Sequence, residues 1–460
     1  MSFVKSKISQ LIHRIKSTSF LKSVFTLSSG AIIAQAINFI GMPFLGRIYS
    51  PAAIGDYQLV VANSAVISSV AALGLMTALM IPKEDEESRG LCKLLSGSTA
   101  VISTVVVVFL WLLRDYYKIF NPEAISYGSA LFTLWVYINS LMLNNVCYAY
   151  VNRMRLYKAM FWNPVIGASF NICIGITLGL MGWGFLGYTL AHILGYLVNI
   201  IHLMIRANPF APSKGKEYGP VRLLRKYKRF PFFQMPANLI SNLGHQLPVQ
   251  TIETLYGASA LGMYSMALRI LSLPTTLLAT PVNRVFYQEA TQRYNRGENI
   301  GHFAYKILET NIKIAIIPIS ILMIFGRQIF RVFLGQQWTA AGDFASIMGI
   351  YQLLVFCDHC LSGNFVIIGK NSWNLFFSFI TLLLNVALFV ICKFVFNTTP
   401  IVYSLLLAIS MTLKSIAVEA CFFGYLKFPI SRYIQLVLLY IVLPTIASLI
   451  IRVALFGWLT

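Results

Sequence analysis

Apolar runs of about 20 residues, parted by short polar or basic segments, fill almost the whole chain. A helix rising 1.5 Å per residue needs about 20 such residues to cross about 30 Å of hydrocarbon. Runs of that kind stand near 20–48, 55–81, 92–113, 124–150, 160–181, 184–205, 232–256, 261–288, 303–325, 341–369, 372–395, 400–424 and 432–457, thirteen in all. A bilayer offers no water to backbone groups, so each run is predicted to be a helix; the runs are too long and continuous for barrel strands. The expected fold class is an all-α polytopic membrane protein.

A short motif repeats within this pattern. Tyr49-Ser-Pro-Ala-Ala-Ile-Gly-Asp-Tyr57 returns 207 positions later as Tyr256-Gly-Ala-Ser-Ala-Leu-Gly-Met-Tyr264, with Tyr, Ala, Gly and Tyr at the same four offsets. Each copy follows the first run of a block of six. That placement predicts a duplicated unit: two pseudo-symmetric six-helix bundles plus a C-terminal helix. Six is even, so both halves cross in the same sense. The domains expected are a cytoplasmic amphipathic lead-in over 1–19, a first bundle over 20–205, a basic cytoplasmic linker over 206–231, a second bundle over 232–424, and an additional span over 425–460 that is peripheral to both.

Charge orients the helices. With the N-terminus inside, 26 of the 36 Lys and Arg fall on the cytoplasmic side, 7 outside, and three (Arg269, Lys313 and Lys414) within spans. Such a split is what the positive-inside rule demands. Arg327 and Arg452 are counted among the outer seven. The net charge of +21 is spread over loops on one membrane face, where it meets anionic headgroups rather than nucleic acid. No signal peptide is evident.

Mean hydropathy of +0.72 and 57 % hydrophobic residues exclude a soluble protein. Seven cysteines, mostly inside spans, argue against a disulfide framework. Cys357-Asp-His-Cys360 has no second ligand pair elsewhere and is read as packing, with no metal. No phosphate loop of the Gly-Lys-Ser/Thr kind, no Ser-His-Asp arrangement and no His-Glu-x-x-His helix is present, so the chain is not expected to be an enzyme.

Ionisable groups inside a membrane are costly and usually face a wet interior. Arg269 can grip a phosphate through two parallel hydrogen bonds and keeps its charge. Lys414 lies mid-span; Glu419, five residues on, is rotated by about 140° and should not share its face. Asp358 and His359 form a deep titratable pair suited to ion coupling, or to structural pairing with Arg269 or Lys414. Arg47 stands at the expected outer mouth, as an anchor or part of a cationic path. The acidic run Glu84-Asp-Glu-Glu87 reads as a solvated loop, the run Arg222 to Arg229 as an interfacial helix, and Arg327-Gln-Ile-Phe-Arg-Val-Phe-Leu as an amphipathic stretch at the interface. Pro43, Pro164, Pro248, Pro274, Pro281 and Pro318 are potential kinks.

Several of these stretches resemble the Wzx-type polysaccharide flippases of the multidrug/oligosaccharidyl-lipid/polysaccharide exporter superfamily. They are Ala31-Ile-Ile-Ala-Gln-Ala-Ile-Asn-Phe39, Pro43-Phe-Leu-Gly-Arg47-Ile-Tyr-Ser-Pro51, Gly55-Asp-Tyr57, Ile81-Pro-Lys-Glu-Asp-Glu-Glu87 and Gly262-Met-Tyr264-Ser-Met-Ala-Leu-Arg269-Ile-Leu-Ser-Leu-Pro274. The resemblance covers essentially the whole chain. It implies two six-helix bundles about a cationic cavity, and flipping of undecaprenyl-pyrophosphate-linked oligosaccharide across the bacterial cytoplasmic membrane by alternating access, for O-antigen or a related surface polysaccharide. In lipid II flippases of the superfamily an arginine in a Tyr-x-x-x-x-Arg-x-x-x-x-Pro stretch is important; Tyr264, Arg269 and Pro274 match it. The thirteenth span departs from the even number usual in sugar-unit flippases. The implied partners are the lipid-linked oligosaccharide, anionic lipids, and a polysaccharide polymerase with its chain-length regulator. No cofactor is expected beyond an H+ or Na+ gradient or the membrane potential. A flippase also calls for polar groove residues, for which Asn63, Asn144, Asn145, Gln234 and Asn238 are candidates. The alternatives are a multidrug/cation antiporter of the same superfamily, which would favour acidic cavity residues, and a membrane-embedded glycan polymerase or ligase, which would favour a large outer loop.

Overall fold

A computed structural model of the chain describes residues 19–114, 126–212, 218–394 and 398–457. The lead-in, apart from its last residue, and the outer loop beyond Arg114, with Lys118, lie outside the described residues. Every described element is helical. The long helices are α1 (Ser19–Ile48), α2 (Pro51–Ala71), α3 (Asp85–Leu112), α4 (Tyr127–Arg153), α5 (Tyr157–Leu180) and α6 (Gly184–Arg206). A short α7 (Pro220–Lys226) leads to α8 (Met235–Leu271), α9 (Thr280–Asn295), α10 (Gly301–Leu334), α11 (Ala341–Cys360), α12 (Ser372–Phe394) and α13 (Pro400–Tyr425). The last predicted span is α14 (Ile430–Val437) and α15 (Leu443–Phe456), joined by a π-helical turn.

Ten of the described helical segments are long and apolar enough to cross a membrane, and the chain is a multi-pass membrane protein. Predicted spans 55–81, 232–256 and 261–288 are helical but not among the ten. All three are broken or polar. α2 stops at Ala71 and a 3-10 turn follows over Thr77–Met80. α8 runs through what were predicted as two spans, bent at Gly257, whose φ of 81° a side chain would resist. Pro274 and Pro281 bracket the π-helical turn Thr275–Ala279 that joins α8 to α9.

Contacts divide the chain into two compact units. The first holds the described residues of Met1–Met42, Ile67–Asn121 and Ile125–Pro236; the second holds those of Pro43–Val66 and Ala237–Thr460. The end of α1 and most of α2 thus cluster with the second unit.

In the first unit α5 and α6 approach through small residues. A side chain at Gly167 would strike Asn199, and Asn163 donates to the Asn199 carbonyl at 3.3 Å. The acidic run is not the solvated loop expected. It opens α3, where its charge suits the helix N-terminus, and three of its carboxylates hold partners. Asp85 pairs with Arg153 at 3.1 Å, Glu87 accepts from Lys226 and from Tyr227, and Glu84 accepts from Tyr218. Those bonds hold the linker and α7 against α3. They also hold the Tyr218 hydroxyl above its ordinary pKa, because the adjacent carboxylate disfavours a second negative charge.

The second unit carries a larger apolar cluster that includes Phe286, Phe356, Phe365, Phe422 and Tyr433. Cys357 and Cys360 are buried in it. α10 and α11 touch at Gly326 and Gly342, where an added Cβ would lie within 2.6 Å of backbone. Two corrections concern charge. Arg327 and Arg452, assigned to outer loops, instead converge on Asp343, which is fully buried. Arg327 meets both Asp343 oxygens from Nε at 2.9 and 3.0 Å, while Arg452 bonds Asp343 and Ser346. The final helix, expected to be peripheral, is therefore tied into the second unit through Arg452, only 3 % exposed. The stretch from Arg327 is likewise no separate interfacial segment. It continues α10 past a bend at Phe325, with Phe330 and Leu334 buried and Val332 exposed.

Candidate functional site

The two copies of the repeated motif meet inside the second unit. A Cβ on Gly55 would lie 1.9 Å from the Ala258 carbonyl oxygen, and one on Gly262 would lie 1.8 Å from the Pro51 carbonyl oxygen. Pro51 and Ala258 occupy the same place in their copies, as do Gly55 and Gly262. The contact is therefore locally twofold. Only hydrogen fits between the crossing backbones, which explains why both copies hold Gly at that offset. Tyr49, Tyr57 and Tyr264 are buried at this crossing level of the motif.

Further along these helices, the second unit encloses a cavity of about 450 Å³. α2 contributes Gln58; α8 contributes His245, Gln246 and Arg269; α11 contributes Gln352; α13 contributes Lys414. Polar and charged side chains of these helices face this space, as expected when such groups avoid lipid by lining a wet interior. Arg269 and Lys414 border the same cavity. His245 had not been singled out. Its Nδ1 lies 2.7 Å from the Ser241 carbonyl, which can only accept, so Nδ1 carries the proton in that bond. Tyr264 packs edge-on against Phe344, fixing the helix turn that ends at Arg269. Asn385 of α12 donates to the Gly244 carbonyl at 2.7 Å and holds the adjacent turn of α8.

A smaller cavity of about 190 Å³ shares His245, Thr381 and Lys414 with the first and adds Asp358, Asn364 and Glu419. Lys414 and Glu419 do border one space, although five residues separate them on α13; the cavity wraps around the helix. Ser415 donates to Asp358 Oδ2 at 2.9 Å. Glu419 is 1 % exposed, and no hydrogen bond of ordinary geometry reaches either of its oxygens, or Asp358 Oδ1, from a described residue. Asp358 and Lys414 both line this smaller cavity.

Two predicted residues stand apart. His359 is exposed at the end of α11 and lines neither cavity. Arg47 donates to the Val332 carbonyl at 3.1 Å, near where Trp338 and Gln337 bind the Gly46 carbonyl, each at 2.6 Å. That arrangement secures the end of α1 and places Arg47 outside the cavity lining. None of Asn63, Asn144, Asn145, Gln234 and Asn238 lines either cavity.

Comparison with known proteins adds to this geometry. A succinoglycan biosynthesis transport protein, ExoT, of Rhizobium meliloti (strain 1021) is 22 % identical over 325 residues, covering 68 % of this chain and 62 % of that protein. The chain thus spans somewhat under two thirds of that relative. The structure is similar to the lipid II flippase MurJ in an inward closed conformation, with a TM-score of 0.69 and 14 % identity over 94 % of this chain and 98 % of that one. It is also similar to an inward-facing multidrug resistance MATE family transporter of the MOP superfamily, at TM-score 0.57 and 14 % identity over 88 % and 99 % of the two chains. The fold is therefore of the MATE and MurJ kind. A family described as polysaccharide biosynthesis protein matches residues 44–343, a stretch that contains both copies of the repeat and Arg269. With well over half of the chain matched, the protein belongs to the polysaccharide biosynthesis protein family.

Proposed function

We propose that this protein is a transporter that moves undecaprenyl-pyrophosphate-linked oligosaccharide units from the inner to the outer leaflet of the bacterial cytoplasmic membrane, with its N-terminus in the cytoplasm. The observation that carries the reading is the convergence of Arg269 and Lys414 on one cavity, with His245 between the two spaces they border. A diphosphate presents two anionic groups. Arg269 supplies a planar fork for one, and Lys414 a compact charge for the other. At about 450 Å³ the cavity suits the diphosphate and the first sugar rather than a whole glycan, whose lipid tail remains in the bilayer. The relatives, a succinoglycan biosynthesis transport protein and a lipid II flippase, support the same class of cargo.

Asp358 and Glu419 supply the coupling element. Neighbouring carboxylates in a low-dielectric space take up one shared proton or a cation, and here they adjoin the substrate-facing Lys414. His359, exposed and outside both cavities, has the weaker claim to this role. The carboxylate pair also favours one rival reading, a cation-coupled drug antiporter, which would need no diphosphate. The test is a strain lacking the gene. It should accumulate lipid-linked oligosaccharide on the inner leaflet, be restored by the wild-type gene, and not be restored by Arg269→Ala at equal protein level. Normal surface glycan in the deletion strain would overturn the reading, and restored glycan with Arg269→Ala would remove that residue from it.

A further inference from the structure

The first unit contains a groove that transport of a diphosphate does not use. It has a volume of about 660 Å³ and one wall made by a single face of α3: Arg89, Lys93, Gly97 and Val101, with neighbours at each turn. The other wall includes Ala211, Tyr218 and, from α7, Pro220 and Leu224. Charge is confined to one end. Glu86, Arg89 and Lys93 stand within the first three turns of α3, on the side that the basic-residue distribution assigns to the cytoplasm. From Leu94 to Ile102 the α3 wall is apolar except for Ser98, whose hydroxyl is already bonded to the Ala71 carbonyl at 2.9 Å. That apolar stretch spans about 12 Å. Val101 is 63 % exposed, so the groove opens towards the hydrocarbon.

We propose that this groove binds an anionic phospholipid of the inner leaflet, its phosphodiester on Arg89 and Lys93 and one acyl chain along Gly97 and Val101. Arg89 is preset for the task. Its Nε donates to the buried Tyr150 hydroxyl at 2.9 Å, and its two terminal nitrogens carry no hydrogen bond to a described residue. A guanidinium held in this way presents a fork to phosphate at little entropic cost. Arg89 and Lys93 at the mouth favour an anionic headgroup over a zwitterionic one. Gly97 opens the floor: a Cβ there would meet nothing within 4 Å. The lipid would brace the linker against α3, beside the bonds of Glu84 and Glu87 to Tyr218 and Lys226. The inference rests on the membrane orientation adopted above but not on the identity of the cargo.

The experiment uses the full-length protein, purified and stripped of lipid, with phosphatidylglycerol and phosphatidylcholine as probes, bound lipid being counted by native mass spectrometry. Phosphatidylglycerol should bind more tightly than phosphatidylcholine. Arg89→Gln with Lys93→Gln should weaken it by roughly 10- to 100-fold. Gly97→Phe should weaken it comparably with all charges intact, and Arg269→Ala should leave it unchanged. Lys93→Gln alone keeps the test open if loss of the Tyr150 contact prevents Arg89→Gln from folding. Equal binding of the two lipids, or insensitivity to Lys93→Gln and Gly97→Phe, overturns the proposal. So does displacement of phosphatidylglycerol by an equimolar polyprenyl diphosphate, which would assign the groove to the cargo. Failure of the deletion-strain test would leave these outcomes untouched.

Discussion

Two groups of charged residues lie within the second unit, and they differ in how completely the protein answers them. Around Asp343 both carboxylate oxygens are answered by arginines. Arg327 takes both carboxylate oxygens, and Arg452 bonds the same carboxylate, the Ser346 hydroxyl and, at 3.4 Å, the Gly342 carbonyl. No cavity described above borders Asp343. Arg269, Lys414, Asp358 and Glu419 instead border open space, and no hydrogen bond of ordinary geometry reaches either Glu419 oxygen from a described residue. Buried polar groups in native proteins are nearly always satisfied, so an unanswered carboxylate beside a cavity points to something that comes and goes. The first cluster fastens helices; the second, in the function proposed above, exchanges its partners with a ligand and an ion.

The sharpest way to break this contrast is to remove a partner from the closed cluster. Asp343→Ala leaves Arg327 and Arg452 facing one another without a counter-charge, at a cost of about 3–5 kcal/mol, comparable with much of a protein's net stability. The expected outcome is loss of inserted protein on membrane immunoblots, whereas Arg269→Ala accumulates normally and fails only in transport. If Asp343→Ala is folded and Arg269→Ala is not, the roles assigned to the clusters are reversed.

Next in size is the twofold crossing. Gly262→Val places two methyl groups where even a Cβ would lie 1.8 Å from the Pro51 carbonyl oxygen. Backbone cannot yield there as a flexible side chain would, so the helices must separate, at a cost of roughly 2–4 kcal/mol. Because Gly55 occupies the equivalent position, Gly55→Val should cost about the same, as read from thermal unfolding of the purified variants. Unequal losses would show that the local twofold is only approximate in its energetics.

The repeat was legible because a shared steric demand leaves the same residue in both copies: Gly55 and Gly262 each meet the other's backbone. The cavity was partly legible for a related reason. Polar residues such as Gln58, His245 and Arg269 lower the apolar content of the helices that carry them, and Arg269 and Lys414 stood out as cations inside spans. Asp343, Arg327 and Arg452 escaped because counting basic residues by side treats a charge near a helix end as a loop anchor. Nothing local says that two arginines more than a hundred positions apart share one carboxylate. The available signal was Asp343 itself, an acid directly after Gly342 in the first turn of α11. Glu419 was noticed only relative to Lys414 on one helix, and a cavity that curves around α13 defeats reasoning from a single helical wheel.

Removing an acid from the open cluster should have a smaller effect on stability, with the opposite sign. Glu419→Gln keeps the shape of the side chain and removes a buried carboxyl that no hydrogen bond of ordinary geometry from a described residue reaches. Stability should be unchanged or rise by about 1 kcal/mol, since an unpaired buried carboxylate is a liability in the folded state. Transport should lose its dependence on an imposed proton or sodium gradient in proteoliposomes, while binding of the diphosphate survives.

The floor of the scale is set by Arg293, whose guanidinium meets Glu289 one helical turn away at 2.8 Å, with both side chains more than a third exposed. Water screens such a pair, and the guanidinium also lies 4.7 Å from the Phe303 ring centre, so Arg293→Ala should cost no more than about 1 kcal/mol and leave transport intact. If that exposed pair proved as costly as the Asp343 cluster, the number of ion pairs would matter more than their burial. The contrast between the two clusters would then lose its physical basis, because what separates them is solvent access and not charge count.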